Sequence, residues 1–514
     1  MTKPLPSIPK EIVIMKNDDM RELLCHSVCQ WCYGKNCQDV LSSSVKLGDV
    51  DIWHTATARI QAARTNGVEV VIIGECVDVR DGHDADKIAE GLCWLDGQAF
   101  EIEIENLCGD YVIFRLDHGN VKVYGDAIHM MSVYYGINKY SGVVASCEAL
   151  IVDDVSKISP VSAKVLAGAY ESGKYLAGDM TMYDDVKALL PNHYLSVNNA
   201  RSVRYFPRED LKVVRTESEI DAIIDNTIQM VERCIRQFAK RMKFASPLTP
   251  GGDSRLNCAF LNKLIPQDEV LYYVIRTTEM KSFQENEILV RKLADEFGFH
   301  DFHFYQETET LTDERVAAIK RVFGPIREWP KKIWAYHPEL KDRTIVSGAL
   351  IGHILGGELG KNMPEWLVGL WLMKIRQRNV SKLAGKAVAE WYRDAISAVK
   401  KGYSKFDMWY WEIRCGRWNA NTISRDDIIG IHDINIYNSH RIINEWCKIP
   451  KRLRVRKLIH KRMLMRLCPS VADVTFNPCA HRGSRMRLPI LAKIIPPWCR
   501  WIVVHFMEMW RRGR

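Results

Sequence analysis

The chain has no run of about 18 uninterrupted apolar residues, so no membrane-crossing helix is expected. The nearest approach, Trp498 to Trp510, is broken by Arg500, His505 and Glu508. No secretory signal is expected either, because Met1-Thr2-Lys3-Pro4 leads into proline-rich, charged sequence. No internal repeat or low-complexity tract is visible, and collagen and wholesale disorder are excluded. Cysteine is not scarce. There are 15, odd in number and dispersed, which reads as reduced thiols in a cytoplasm rather than a disulfide scaffold.

The 514 residues, 47% apolar and 26% charged, can bury a sizeable core. At roughly 100–200 residues per domain they suggest two to four domains. The net charge of +9 is unevenly placed. From Lys448 to Arg514 there are 17 basic and 2 acidic residues, so this end carries +15 and the rest −6. An anionic partner would meet the C-terminal segment first, unless that segment is simply a solvated helical face.

Residues 68–77 (VEVVIIGECV) read as a buried strand. Residues 99–105 alternate apolar and acidic, which predicts another. Tyr111–Leu116 and Val121–Tyr124 flank Asp117-His118-Gly119-Asn120, a hairpin turn signal. The first 200 residues are therefore expected to be strand-rich. From Glu217 to Met242 the apolar spacing is helical. Val270–Ile275 reads as a strand, Glu285–Phe297 as a helix and Phe302–Tyr305 as a strand. This alternation implies a parallel sheet with crossover helices. Beyond residue 345 the pattern is mostly helical, and the domain boundary is expected between 205 and 215.

Leu248-Thr249-Pro250-Gly251-Gly252-Asp253-Ser254-Arg255 lies between a strand and the apolar run Leu256–Leu264. Successive N–H groups in such a turn form an anion nest, and a helix N-terminus adds partial positive charge. The glycines allow close backbone approach. Thr249 and Ser254 can donate to phosphate oxygens, whereas Asp253 could face a phosphate only through Mg²⁺. An ordinary glycine turn is the alternative.

This stretch resembles the pyrophosphate loop of the asparagine synthetase family, S/T-G-G-x-D-S, through Thr249, Gly251, Asp253 and Ser254. Other segments resemble that family in the same order. Asn106-Leu107-Cys108-Gly109-Asp110-Tyr111, Tyr124-Gly125-Asp126, Tyr134-Tyr135 and Val144-Ala145-Ser146 are similar to its amidotransferase half. Leu189-Leu190-Pro191-Asn192-His193-Tyr194 with Arg204-Tyr205 is similar to the passage that ends it. Leu293-Ala294-Asp295-Glu296-Phe297-Gly298 resembles its adenosine-side helix, with Asn286 where an Asp is frequent. Trp411-Glu412-Ile413-Arg414, Arg417-Trp418 and Leu467-Cys468-Pro469 resemble its helical C-terminal part.

The resemblance implies a mixed α/β and α+β chain. Residues 1–208 would be a degenerate amidotransferase-like domain, an N-terminal-nucleophile-like β-rich sandwich. Residues 209–514 would be an adenine-nucleotide α-hydrolase-like parallel sheet with a basic helical extension. It also implies ATP and Mg²⁺, an acyl-adenylate, release of pyrophosphate and AMP, and capture by an amine, as in asparagine biosynthesis. Leu248, Thr249, Gly251, Gly252, Asp253, Ser254, Ser347 and Gly348 would bind the nucleotide, Asp253 the metal, and Arg255 would add positive charge.

Three departures qualify this. Thr2 stands where the family exposes a Cys after Met removal, and the first Cys is Cys25, so glutaminase activity is expected to be lost. Pro250 replaces a glycine and removes one N–H. Gly352 stands at the Asp of the second motif, S-G-x-x-x-D, which begins here at Ser347-Gly348; His353 and Glu358 are the nearby groups able to replace it.

Cys25, Cys29, Cys32 and Cys37 lie close together. C-x-x-x-C-x-x-C resembles the iron–sulfur motif of radical S-adenosylmethionine enzymes, but the strand-rich sequence that follows does not suit their barrel. Zinc, or burial of the cysteines on one face of a helix, are the other readings. In the tail, Lys451–Leu458 and the aromatic, basic segment 498–512 suit an anionic membrane surface, a protein partner, or docking on the chain's own domain. No nucleic-acid recognition motif accompanies the charge.

The expectation is an ATP-dependent amide-forming ligase acting on small carboxylate and amine substrates, without glutaminase activity. The alternative is a catalytically inactive binding or scaffold protein. The sequence names neither substrate, and a homodimeric state stays open.

Overall fold

The strands before residue 205 build two six-stranded antiparallel sheets. In chain order they are β1 (Trp31–Tyr33), β2 (Ser43–Leu47), β3 (Val50–His54), β4 (Ile60–Thr65), β5 (Val68–Asp78), β6 (Leu107–Asp117), β7 (Asn120–Gly125), β8 (Tyr134–Gly136), β9 (Val144–Ala145), β10 (Val186–Ala188), β11 (His193–Ser196) and β12 (Arg201–Arg204). The sheet orders are β10-β8-β9-β1-β3-β2 and β12-β11-β7-β6-β5-β4. This computed structural model describes residues 23–24, 27–65, 67–155, 157–162, 176, 178–276, 283–306, 337–347, 382–419, 427–428 and 430–476.

The β-branched run at 68–77 explains how the two sheets share a core. Val71 and Ile73 of β5, with Val112 and Phe114 of β6, pack against Trp31, Tyr33 and Ile52 of the other sheet. The Trp31 and Phe114 rings meet edge to face, 5.3 Å apart. The alternate residues Val70, Ile72, Tyr111 and Ile113 face the helices and belong to the main core. A strand buried on both sides needs apolar residues on both parities, hence the continuous run. The turn between β6 and β7 has positive φ at His118 (46°) and Gly119 (80°), the backbone that a two-residue hairpin loop requires.

Residues 99–105 are not a strand. They lie in a helix, α2 (Gly97–Ile104), which follows α1 (Ala85–Cys93). Phe100 and Ile104 are buried while Ile102 is 48% exposed. Apolar residues four apart share one helical face, so the alternation concealed a helical pair.

After Arg204 the chain enters α3 (Glu217–Phe238), capped by reciprocal bonds between Thr216 and Glu219. A parallel sheet follows: β13 (Phe244–Pro247), β14 (Val270–Arg276), β15 (Phe302–Gln306), β16 (Thr344–Val346) and β17 (His432–Ile434). Helix α4 (Gly252–Leu264) connects β13 to β14, and α5 (Phe283–Phe297) connects β14 to β15. The order β15-β14-β13-β16-β17 puts β13 in the centre, flanked by strands reached in opposite directions. β16 and β17 are an addition to the mostly helical expectation beyond 345; helices α6 (Lys382–Lys400), α7 (His440–Lys448) and α8 (Leu458–Leu467) complete that region. None of the helices among the described residues is long and apolar enough to cross a membrane.

Buried polar contacts join the strand-rich half to the later half. Asn438 Nδ2 donates to Gly109 O (2.6 Å) and Asp126 Oδ1 (2.7 Å), and its Oδ1 accepts from Ile128 N (3.1 Å). Arg204 of β12 donates to both carboxylate oxygens of buried Glu412, at 2.5 and 2.9 Å. Asp427 accepts from Cys29 N (2.8 Å) and Gln30 Nε2 (2.7 Å), and from the Ser27 hydroxyl.

Candidate functional site

The Leu248–Gly251 bend leaves the carboxyl end of β13, the central parallel strand, and enters α4. This is the point where strand order reverses, and in open parallel sheets ligands bind at such points. Ser347, first residue of the second motif, follows the adjacent strand β16 and donates its N–H to Ile434 O at 2.8 Å. The two segments are thus neighbours at one edge. Gly348, Gly352, His353 and Glu358 lie outside the described residues.

Leu248 is buried, with its N–H on Tyr273 O at 2.8 Å. Thr249 and Ser254 hydroxyl oxygens lie 2.7 Å apart. Thr249 N donates to Ser254 Oγ (3.1 Å) and Gly251 N to Thr249 Oγ1 (3.2 Å). Two amides of the bend are therefore held by its own hydroxyls. Thr249 is exposed, and Gly251 and Asp253 are half-buried. Gly251 is the N-cap of α4 and so brings no capping side chain to that helix end.

Asp253 faces the C-terminal segment. Its Oδ1 accepts from His460 Nε2 at 2.6 Å and lies 4.0 Å from Lys457 Nζ. His460 is fully buried and its Nδ1 has no hydrogen-bond partner among the described residues. Burial lowers the His460 pKa against the opposing pull of Asp253, and Nε2, facing a carboxylate oxygen, is the donor. Gly252 makes the approach possible, since a Cβ there would sit 2.9 Å from His460 Cδ2.

The Arg255 guanidinium turns away from the rim. It donates to the carbonyls of Val471 (3.1 Å), Val474 (2.6 Å), Pro250 (3.0 Å) and Thr475 (3.4 Å), and lies 4.6 Å from the Phe476 ring centre. Burial lowers its pKa to about 10, which still leaves it charged at neutral pH. Its cation fastens the chain after α8 to the bend.

Asp253 is already engaged by His460, and no group of three His, Cys, Asp or Glu side chains suited to a metal is assembled among the described residues. The same holds around Cys29, Cys32 and Cys37, and Cys25 lies outside the described residues. Cys32 lies in strand β1, so the expected helix face of cysteines does not form.

A cavity of about 530 Å³, not anticipated from the motifs, lies at the opposite, amino-terminal end of the parallel strands. Lys243, Thr344 and His432 line it from that sheet, and Cys29, Arg59, Glu75 and Asp110 from the antiparallel half. Arg59 and Arg241 both pair with Glu75 at 2.7 Å. Burial, then the nearby Asp126, raises the Asp110 pKa well above the usual range, and its Oδ2 has no partner among the described residues. Burial, then Asp427 and Glu75, raises Cys29 well above an ordinary thiol, which makes it a poor nucleophile. Gly74 was the readable signal. It interrupts an apolar strand, has φ of 101°, and a Cβ there would meet Asp110 O at 2.3 Å.

The basic segment docks in part on the chain itself. Arg462 pairs with Asp221 (2.9 Å), Arg466 with Asp221 (2.8 Å) and Asp225 (2.5 Å), all on α3, and Arg454 with buried Asp407 (2.5 Å). Residues 477–514, including 498–512, lie outside the described residues. No family model matches the sequence, and no curated protein matches it with significant similarity.

Proposed function

We propose that the chain is an ATP-dependent amide-forming ligase of asparagine-synthetase type, with an N-terminal-nucleophile-like sandwich and an adenine-nucleotide α-hydrolase-like sheet. One observation carries the reading: the Thr249–Ser254 bend leaves the central parallel strand at the strand-order reversal and opens a helix whose N-cap is a glycine. Helix N-terminal amides and two hydroxyls suit a polyphosphate. The reaction joins a carboxylate oxygen to the α-phosphorus and breaks its bond to pyrophosphate. An amine nitrogen then attacks the acyl carbon, loses a proton, and AMP leaves with the bonding pair. Thr249 and Ser254 would exchange their mutual hydrogen bond for phosphate oxygens. Asp253 would keep His460, and with it Lys457, at the rim. In this reading ammonia or a substrate amine supplies the nitrogen.

The hydroxyl-held amides of Thr249 and Gly251, and Asp253 engaged by His460, favour a second reading: a non-catalytic relative that serves as a binding or scaffold protein. Pyrophosphate release over a panel of carboxylates and amines tests the ligase. Calorimetric titration with ATP, with and without Mg²⁺, separates the two. Absence of binding at millimolar nucleotide leaves the scaffold.

A further inference from the structure

A second concave site lies at the seam between the halves, away from the bend. It encloses about 270 Å³. Arg80 comes from the segment after β5, Asn106 from the start of β6, Asn226 and Arg233 from α3, and Arg441 from α7. Three guanidinium groups and two carboxamides thus line it, with no carboxylate in the lining.

The guanidiniums differ in how far they are committed. Arg80 is held by Asp78 (Nε 3.0 Å, Nη2 2.5 Å) and by Glu103. Arg441 Nε is 3.6 Å from Glu445 Oε1, an oxygen that Lys448 already takes at 2.7 Å. Arg233 donates Nη1 to Val79 O at 3.0 Å, and among the described residues no carboxylate lies within ion-pair distance of it. Arg233 and Arg441 therefore keep donors for an anion, while Arg80 adds field.

We infer that this groove binds a small phosphate-bearing anion, with Arg233 and Arg441 as its two main contacts. A tetrahedral dianion offers acceptors in several directions, which suits guanidinium forks arriving from separate elements. The ligand would touch both halves and stabilise their junction. This site is independent of the ligase reading and of the Thr249–Ser254 bend.

The test is thermal unfolding and calorimetry of the full chain with inorganic phosphate, pyrophosphate or ATP, against sodium chloride at matched ionic strength. Phosphate should raise the melting temperature in a saturable way that chloride does not reproduce. Arg233→Gln and Arg441→Gln should each weaken binding by about ten-fold. The exposed Arg441 serves as the safeguard should Arg233→Gln loosen α3. Asp253→Ala should leave phosphate binding unchanged. Tighter ATP binding that also falls in Arg441→Gln would assign the groove to a nucleotide's phosphates, and tighter inorganic phosphate to the free ion. No saturable effect up to about 10 mM, affinity indifferent to both arginine substitutions, or binding lost only in Asp253→Ala would each overturn the proposal.

Discussion

His460 Nε2 donates to Asp253 Oδ1 across 2.6 Å, joining residues 207 positions apart at the start of α4. The bond places the carboxylate on the C-terminal segment and fixes the orientation of the bend. Asp253→Ala should abolish ATP-to-AMP conversion by the ligase. It should also cost about 1–3 kcal/mol, because buried His460 then has neither ring nitrogen bonded among the described residues. AMP formation and urea unfolding are the two readouts, and unchanged turnover in a folded variant sinks the ligase assignment.

Arg255 is expected to act through the backbone it holds. Arg255→Lys removes the planar fork that reaches four carbonyls and should cost about 2–3 kcal/mol. Limited proteolysis should then cut between 468 and 476 earlier than in the parent chain. Equal cleavage rates would refute the clamp.

Gly252→Ala should push His460 off Asp253, since the new Cβ has no room beside Cδ2. A loss of about 1–3 kcal/mol is expected for such overpacking. The ring protons of His460, followed by NMR, should shift with it.

The Arg204–Glu412 pair is buried between the halves, and Glu412 also accepts from Asn192 and Trp391 at 2.8 Å each. Glu412→Ala leaves Arg204 with Asp394 as its one carboxylate among the described residues, takes the acceptor from Asn192 and Trp391, and should cost about 1–3 kcal/mol. The first transition in guanidinium chloride should move to lower concentration. An unmoved transition would mean that the pair does not hold the halves.

Two acids should give opposite pH dependence. Burial alone would raise Asp394, but His193 and Arg204 outweigh it and bring the carboxyl down to about 2. Its contribution is present above an unfolded value of about 4 and is lost as pH falls towards 2. Burial raises Asp427 to about 6 against its hydrogen bonds. Its contribution is full below about 4 and lost as pH rises through 6. Asp394→Asn should flatten the acid limb of a melting-temperature profile, and Asp427→Asn the segment between about 4 and 6.

Local pattern was enough for the long β5 run, the His118-Gly119 turn, the amphipathic α3 and the alternation of β14, α5 and β15. In each case neighbours in sequence carry the physics: side-chain parity, positive φ, a capping residue. The same logic failed at 99–105, where two apolar residues four apart were masked by alternation until Phe100 and Ile104 were seen buried. It also missed β17, because three residues are too few to show a period.

The sequence by itself determined that a glycine bend would lead from a strand into a helix, since the glycines and the flanking apolar runs are local. Only the tertiary structure decided what surrounds that bend. Asp253 meets His460, Arg255 meets the carbonyls after α8, and Arg233 and Arg441 line one groove across a seam, each through residues far apart in the chain. Such contacts depend on how whole layers stack, and side-chain burial fixes that stacking only once every element is in place.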